Sequence, residues 1–504
     1  MSAGNTQYGI RNREFVALAL LLLFTFVKGV LWSGLVVSLD APDEPSHLNH
    51  IVQIRDGTWL PVVDMVSPGG LRTPPSTPLN QEARDYFARY NYKFFRSMPY
   101  ESTQPPLYYW AAAIWTRPIP VTAANMPTLL SAARLFSVLL GTAAVLALWL
   151  ACRWIWPQRS WQPWVAPLAL TLSPQFTFTT ATVSNDAAVI FWGAALLAVW
   201  AHGLRPTMDY GRYATGAGEA VSLPPSPLPY AIRKRQYLDI ALAALVSAAG
   251  VLTKLTFVAT VPASLLWIYW VTVESARPGR STASSPLRRG LLLAGGYLAV
   301  VGVLVLPWVL RNLRVYGEPT GARGIVDLMH RIYWDRLGFP SSQLFSRFPL
   351  DEFVVRSARS FWALFGWASV WLADWVYWLQ AALAAISGLG LLLRGLRAGF
   401  PPRSPLSRVA ALALLACILA FANYVGYNSL VEFQPHMRLT FAALAPAIFL
   451  LALGLEQGPW PRWRAALSAL LLASLALAQG LSIAALLAHR QDVVGVTYCI
   501  LRIS

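Results

Sequence analysis

The sequence is constrained above all by a series of apolar segments that are long enough, or nearly so, to cross a lipid bilayer. The first, at 15–39, contains a single charged residue, Lys28, and about 20 apolar residues suffice to span the hydrocarbon core. It is too long for a signal-peptide core and lacks a small-residue cleavage site, so we interpret it as a retained span. Ten further segments follow, at 128–151, 164–183, 187–204, 237–252, 255–273, 290–310, 376–393, 409–431, 439–455 and 465–488. The sequence therefore predicts an all-α, polytopic transmembrane helix bundle of about eleven spans.

The chain is strongly basic, with a formal net charge of +17 over 504 residues. Such a balance can indicate nucleic-acid binding, but here the Lys and Arg residues lie in short connections between apolar segments. That distribution is expected from the positive-inside bias of membrane proteins, and it favours anionic membrane lipids as neighbours. Nucleic acid is therefore not expected as a partner.

The distribution of Lys and Arg also orients the chain. With a cytoplasmic N-terminus, nineteen of them fall in cytoplasmic connections, whereas the short outer connections hold only Lys254 and Arg438. Long outer segments are left out of this count because they translocate largely regardless of charge. We therefore expect a multi-pass protein of the cell membrane, with segments 40–127 and 311–375 on the outer face.

These outer segments belong to a single integral membrane domain, 1–504, and form its two large loops. The first loop ends in QPPLYYWAAAIW at 104–115, which is short for a span and typical of an interfacial helix. The second contains a Trp-dense stretch at 360–378, which suits the headgroup level. The cytoplasmic segment 205–236 contains SLPPSPLP and is interpreted as a flexible linker.

Five ionisable residues follow the first span within LDAPDEPSHLNH, namely Asp40, Asp43, Glu44, His47 and His50. A carboxylate that is partly desolvated at a helix mouth can act as a general base. The same residues also fit a solvated loop in which Asp43 or Ser46 caps a following helix and Glu44 stabilises its first turn. Spacing alone leaves both interpretations open.

Four further polar residues lie at predicted span ends. Asp186, in SNDA, is either a second site acid or a helix cap, and Lys254 is either a phosphate ligand or an interfacial lysine. His436 and Arg438 precede a late span, where they fit an anionic ligand or an interfacial anchor. The orientation derived from loop charge places all four on the outer face together with Asp43 and Glu44. Lys28 lies nearer the middle of the membrane, where either a function or a structural pairing is expected.

Motifs across most of the chain resemble those of the GT-C superfamily of polyprenyl-phosphate-sugar-dependent glycosyltransferases. PDEPSH at 42–47 is similar to its outer-loop Asp-Glu motif, and QPPLYYW at 104–110 to its Pro-Pro-Leu-Tyr-Tyr pattern. SNDA, GVLTKLT and QPHMRLTFAALAP resemble the second acid, the Lys-bearing turn and a late Arg-Tyr segment. Leu439 stands where that segment usually has Tyr. The likeness is strongest to a little-characterised bacterial membrane family, related to the protein O-mannosyltransferase and aminoarabinose transferase families.

The resemblance implies a GT-C-like bundle and an inverting transfer at the outer face. A hexosyl or pentosyl group moves from a polyprenyl-phosphate-linked sugar donor to an acceptor glycan, lipid or protein. Asp43, with Glu44 beside it, is the implied acid that orients or deprotonates the acceptor. Lys254, His436 and Arg438 are implied to bind the lipid phosphate and stabilise its charge as it leaves.

The resemblance leaves the cofactor open, because some members use a divalent metal and others need none. Asp43 and Asp186 are the implied ligands for Mg²⁺ or Mn²⁺, since both ions favour carboxylate oxygens. His47 and Asn185 lie in the same two motifs and are further candidates for the site. A lipid or solute transporter, or flippase, is the alternative function. Charges gathered at one face without a visible repeat favour the enzyme over a transporter, and a non-catalytic protein of the same fold is a third alternative.

Overall fold

Apolar stretches of this length fold as helices in a bilayer because a helix satisfies its backbone N–H and C=O groups internally. The structure is a computed structural model that describes residues 3–62, 81–82, 85–86, 100–156, 161–205, 228–274, 286–321, 348–366, 368–399, 402–431, 433–457 and 461–503. The helices are α1 (Ala3–Leu35), α2 (Glu44–Arg55), α3 (Leu107–Trp115), α4 (Met126–Ile155), α5 (Val165–Leu172), α6 (Pro174–Thr180), α7 (Asn185–Leu204), α8 (Leu228–Val251), α9 (Val261–Glu274), α10 (Pro286–Tyr316), α11 (Leu350–Trp362), α12 (Asp374–Ala398), α13 (Pro405–Leu430), α14 (Leu444–Glu456) and α15 (Arg464–Ile503).

Short elements complete the described part of the chain. Five 3₁₀ turns lie at Tyr100–Thr103, Gln162–Trp164, Leu255–Thr260, Met437–Ala443 and Pro461–Trp463. Strands β1 (Leu364–Phe365) and β2 (Val370–Trp371) pair antiparallel between α11 and α12. The Trp-dense stretch predicted at the headgroup level therefore contains a helix end, a hairpin and a helix start. The predicted linker at 205–236 lies mostly outside the described residues.

Nine helical segments in the described ranges are long and apolar enough to cross a membrane, which confirms the polytopic helix bundle. Two of the eleven predicted segments are not among the nine. The segment at 164–183 is divided into α5 and α6, and the segment at 237–252 lies within α8. The predicted segments at 237–252 and 255–273 fold back on each other, because Gln236 in the first half of α8 donates to the Val271 carbonyl near the end of α9 at 3.4 Å.

Some of these spans are buried inside the bundle and others are exposed at its surface, as expected for a helix bundle in a membrane. The apolar window of the span at 437–456 is 94% buried, whereas that of the span at 287–316 is 11% buried. Val303 on the latter is 68% exposed. An apolar surface this continuous is unusual on a soluble protein and fits contact with lipid tails. The protein is therefore a multi-pass membrane protein with α14 near its centre and α10 on its periphery.

The break between α5 and α6 explains the charge in the middle of α1. Ser173 is extended, with ψ 120°, because a following proline disfavours the helical conformation. The Nζ of Lys28 donates to the Thr171 carbonyl beside this break and to the Thr177 hydroxyl at 2.6 Å. Gln479 of α15 donates to the same hydroxyl at 2.7 Å. Lys28 thus serves as a structural partner for a broken helix, the second of the two expected roles.

One buried ion pair, Glu44–Arg134, joins the helix ends that carry the polar residues. Arg134 on α4 donates to the two Glu44 carboxylate oxygens at 2.8 and 2.6 Å. The same guanidinium donates to the carbonyls of Ser33 and Val36, at 2.6 and 2.9 Å, where α1 ends. Glu44 also accepts the N–H of Val183 at 2.9 Å, just before α7. The pair therefore fixes the end of α1, the start of α2 and the approach to α7 against α4.

We expect Arg134→Met to destabilise the fold by about 3–5 kcal/mol, because it leaves the Glu44 carboxylate buried without its counter-charge. Arg153→Met on the same helix is the matched control, since the Arg153–Glu14 pair is 3.1 Å long with side chains 21% and 27% exposed. A partly exposed pair of this kind contributes less, on the order of 1 kcal/mol. Thermal unfolding of the two variants in detergent measures the difference. Equal shifts in melting temperature would contradict the structural role of the Glu44–Arg134 pair.

Candidate active site

The polar residues predicted from the sequence lie at the starts of four helical segments that meet at one end of the bundle. Asp43 precedes α2, Asp186 is in the first turn of α7, Lys254 precedes a 3₁₀ turn, and His436 precedes another. Helix starts suit the two acids among them, because the unsatisfied backbone donors and the dipole of a helix start favour anionic groups. The opposite end of α1 and α4 is marked by the separate Glu14–Arg153 pair.

Asp43 occupies the N-cap position of α2, yet its side chain makes no capping hydrogen bond. Its carboxylate instead accepts a hydrogen bond from Arg438, which is 395 residues away in the sequence. The other terminal nitrogen of Arg438 is 3.5 Å from the Pro42 carbonyl oxygen. The backbone of Asp43 is left-handed, with φ 64° and ψ 0°, which costs a residue other than glycine on the order of 1–3 kcal/mol and is found disproportionately at functional sites. Side-chain capping therefore does not explain Asp43.

Asp186 is paired with Lys254, and both side chains are largely buried. The Lys254 Nζ is 2.6 Å from the Asp186 carboxylate. Ser184, not Asp186, caps α7, since its hydroxyl accepts the Asp186 N–H at 3.1 Å. Asn185 donates to the Thr253 carbonyl at 3.4 Å and so ties the start of α7 to the turn that holds Lys254. The helix-cap interpretation of Asp186 is therefore not what the structure shows.

His436 presents a buried donor. Its Nδ1 accepts the backbone N–H of Arg438 at 3.3 Å. Burial, and next to it the charge of Arg438, lowers the pKa of His436 to about 3. The ring is thus neutral and carries its proton on Nε2, which is buried and has no hydrogen-bond partner within the described part of the chain. A buried donor of this kind is rare unless a ligand or water completes it.

Asp43 and Asp186, the two acids expected to share a site, both lie close enough to His47 and His436 to affect the pKa of each ring. The pKa of His47 and the pKa of His436 both respond to the charges of Asp43, Asp186, Lys254 and Arg438. Glu44 is different, because its carboxylate is fully buried and accepts from Arg134, Leu39 and Val183. The structure therefore brings Asp43, Asp186, Lys254, His436, Arg438 and His47 together, and places Glu44 behind them as a support.

A third acid, Glu101, lies beside Asp43 and His47 and was not predicted from the sequence. The Tyr109 hydroxyl donates to its carboxylate at 2.9 Å, and His47 Nδ1 lies 2.8 Å from the same hydroxyl. Burial, followed by the negative charge of Asp43, raises the pKa of Glu101 to about 8. Burial also lowers the pKa of His47 to about 4. Glu101 is therefore protonated and His47 neutral near pH 7.

These groups form a cluster with the composition of a metal site. Ligand atoms of Asp43, His47 and Glu101 all lie within 4.8 Å of one another. Two carboxylates and one imidazole suit Mn²⁺ or Zn²⁺ better than Mg²⁺, which favours oxygen ligands alone. Asp186, the other metal ligand predicted from the sequence, is engaged with Lys254 and is not in this cluster.

Comparisons with known proteins found solved structures only. No family description and no curated protein matches the sequence. The oligosaccharyltransferase of Archaeoglobus fulgidus, tethered with an acceptor peptide, is 14% identical and has a TM-score of 0.48, covering 92% of this chain and 55% of its own. ArnT from Cupriavidus metallidurans, bound to undecaprenyl phosphate, is 16% identical and has a TM-score of 0.48, covering 88% and 60%.

Other solved structures are similar to this chain at the same level. A third, the archaeal oligosaccharyltransferase AglB from Archaeoglobus fulgidus in complex with an inhibitory peptide and a dolichol-phosphate, is 15% identical with a TM-score of 0.45. This chain spans between 55% and 60% of the length of the three. Similarity at this level assigns no substrate and no catalytic residue to the chain.

We expect Glu101→Gln to flatten the pH dependence of stability. Because folding raises the Glu101 pKa from 4.5 to about 8, the unfolded state loses this proton first, and the folded state loses stability as the pH rises through that window. Glutamine still accepts from Tyr109 but does not ionise. Melting temperatures measured in chelator between about pH 5 and pH 8 should therefore fall less in Glu101→Gln than in the wild type.

Glu352→Gln is the control for this experiment, because Glu352 pairs with Arg356 on the surface with a side chain 43% exposed. Its pH profile should match that of the wild type. A Glu101→Gln profile identical to the wild type as well would mean that Glu101 ionises normally in the folded protein.

Proposed function

We propose that the chain is a membrane glycosyltransferase that moves a sugar from a polyprenyl-phosphate donor to an acceptor at the non-cytoplasmic face. The observation that carries this proposal is the pairing of two acids with two cations, Asp43 with Arg438 and Asp186 with Lys254, at one end of a bundle of apolar helices. Acids serve an acceptor that must lose a proton, and cations serve a phosphate that must leave. The basic residues of the short loops support an outer location for this end.

Each group has a role in an inverting displacement. Asp43 accepts the proton of the acceptor hydroxyl or amide as its oxygen or nitrogen attacks the anomeric carbon. The bond between that carbon and the phosphate oxygen breaks, and the bonding pair leaves with the lipid phosphate. Lys254, Arg438 and the His436 Nε2 proton stabilise the charge that develops there, which is the group of interactions that contributes most to such reactions. Glu44 holds Asp43 in place through Arg134.

A divalent cation fits the cluster of Asp43, His47 and Glu101. When bound, it would add positive charge beside the acceptor and the donor phosphate. The neutral His47 imidazole is ready to bind it, whereas Glu101 must first lose the proton that burial retains. Metal affinity should accordingly rise with pH.

A transporter or flippase is the second candidate, since acids and cations at a membrane face also occur in transport pathways. Transporter sites commonly lie near the midplane, where helices are broken. The broken helix of this chain lies at Lys28, whose contacts are to threonines and have no acid among the described residues. The charged residues lie instead at helix starts, which supports the enzyme.

Asp43→Asn tests the proposal most sharply. We expect transfer to fall by roughly two to four orders of magnitude, because the amide does not accept the acceptor proton, in protein that size exclusion shows to be folded. The measurement is release of undecaprenyl phosphate from a panel of undecaprenyl-phosphate-linked sugars, with a cell-envelope fraction as acceptor.

Asp40→Asn is the matched control, because Asp40 is in the same loop but pairs with His489 at 2.8 Å. It should lose much less activity than Asp43→Asn. An Asp43→Asn variant that transfers sugar at the wild-type rate would remove Asp43 from the mechanism.

A further inference from the structure

Both phosphate-binding cations of the proposed site are already engaged by its two acids. Arg438 donates to the Asp43 carboxylate, and Lys254 to the Asp186 carboxylate at 2.6 Å. The four side chains are between 2% and 13% exposed. Charges buried to this degree require partners, because an isolated ion would be strongly desolvated. In the absence of a ligand, the two negative charges of the site are therefore neutralised by its two positive charges.

A lipid phosphate that enters this site competes with the carboxylates for the same donors. Both terminal nitrogens of Arg438 are directed at the loop of Pro42 and Asp43. The guanidinium must therefore turn away from that loop to form a bidentate hydrogen bond with a phosphate. A phosphate placed next to Asp43 without this exchange would bring two anions together where little water screens them. Phosphate binding and the Asp43–Arg438 pair are thus mutually opposed.

We propose that the donor phosphate exchanges partners with Asp43 and Asp186, drawing Arg438 and Lys254 to itself and thereby releasing Asp43 to accept the acceptor proton. This inference rests on the proposed glycosyl transfer and adds to it an order of events. The base is held in an ion pair until a donor is present, and the acceptor is activated only afterwards.

The surroundings of Asp43 are suited to such an exchange. Its backbone is held in the left-handed conformation next to Glu44, which the buried pair with Arg134 fixes. The carboxylate can therefore change partner without moving the start of α2. His47 and Glu101 offer polar atoms within 4.8 Å of this carboxylate. Release from Arg438 thus leaves Asp43 among polar neighbours rather than in an apolar pocket.

Substitution of an active-site residue usually weakens ligand binding, whereas the exchange predicts that loss of Asp43 strengthens the binding of lipid phosphate. Removing the acid removes the competitor, so Asp43→Asn should bind undecaprenyl phosphate roughly tenfold more tightly than the wild type, a coupling of ordinary size. Arg438→Gln should bind it more weakly. In the double variant Asp43→Asn/Arg438→Gln the gain should vanish, because no cation remains to be released.

The measurement is the Kd of undecaprenyl phosphate for the purified full-length protein in nanodiscs, with size exclusion and melting temperature confirming the fold of each variant. A parallel set with Asp186→Asn and Lys254→Met tests the second pair and keeps the test valid if one Arg438 variant does not fold. Asp40→Asn is the control, since it removes a charge from the same loop and should change the Kd less than about twofold.

The outcomes separate the two proposals. If the wild type binds undecaprenyl phosphate but Asp43→Asn binds no more tightly, the exchange is wrong and the glycosyltransferase proposal stands. If the gain persists in the Arg438→Gln background, simple repulsion between Asp43 and phosphate explains it, and the exchange is again wrong. If the wild type does not bind undecaprenyl phosphate at all, the proposed donor class fails, and the exchange fails with it.

Discussion

Glu44 is fully buried where α1, α4 and the approach to α7 meet, and its two carboxylate oxygens accept four hydrogen bonds. Two come from Arg134, whose remaining donors reach the carbonyls of Ser33, Val36 and Val37 at and just after the end of α1. A buried pair contributes little net stability compared with apolar packing, but losing one partner is costly. Its effect here is geometric, because it fixes Glu44, and Asp43 is the residue immediately before Glu44 in the chain. The strained backbone of Asp43 persists because Glu44, its neighbour in the chain, cannot move.

The site built on this support is nearly neutral as a set and charged in each part. Asp43 and Asp186 are matched by Arg438 and Lys254, as burial demands. We propose above that such a site accepts an anion by exchanging partners. The neutral His436, with its buried Nε2 proton, adds a donor that costs no charge compensation. The stability of the site without ligand and its proposed binding of an anion therefore both depend on the Asp43–Arg438 and Asp186–Lys254 pairs.

The fold class and the grouping of the polar residues at one end of the bundle were predictable from the sequence, because the apolar segments and the charges between them are visible in it. Apolar length predicted the membrane helices, and loop charge placed Asp43, Asp186, Lys254 and Arg438 at one face. The specific pairing of these residues was not predictable, since Asp43 and Arg438 are 395 residues apart. The two-part segment at 164–183 was mistaken for a single span, although Pro174 marks the break.

Three roles depended on tertiary contacts that the sequence does not display. Glu44 was predicted beside Asp43 as a catalytic acid, and its acceptors prove to be used by Arg134 and two backbone N–H groups. Arg134 was given no role, although a charged residue inside an apolar helix is a recognisable indication of function or pairing. Glu101 gave no indication, because it lies in a short turn without periodicity and acquires its environment from His47 and Tyr109.

The most direct test of the account is an experimental structure of the protein with undecaprenyl phosphate in a lipid nanodisc. The account predicts phosphate density within hydrogen-bond distance of Arg438, Lys254 and His436 Nε2, with both cations moved away from Asp43 and Asp186. Phosphate density elsewhere on the bundle, with the two ion pairs intact, would contradict the central claim that these residues form a lipid-phosphate site.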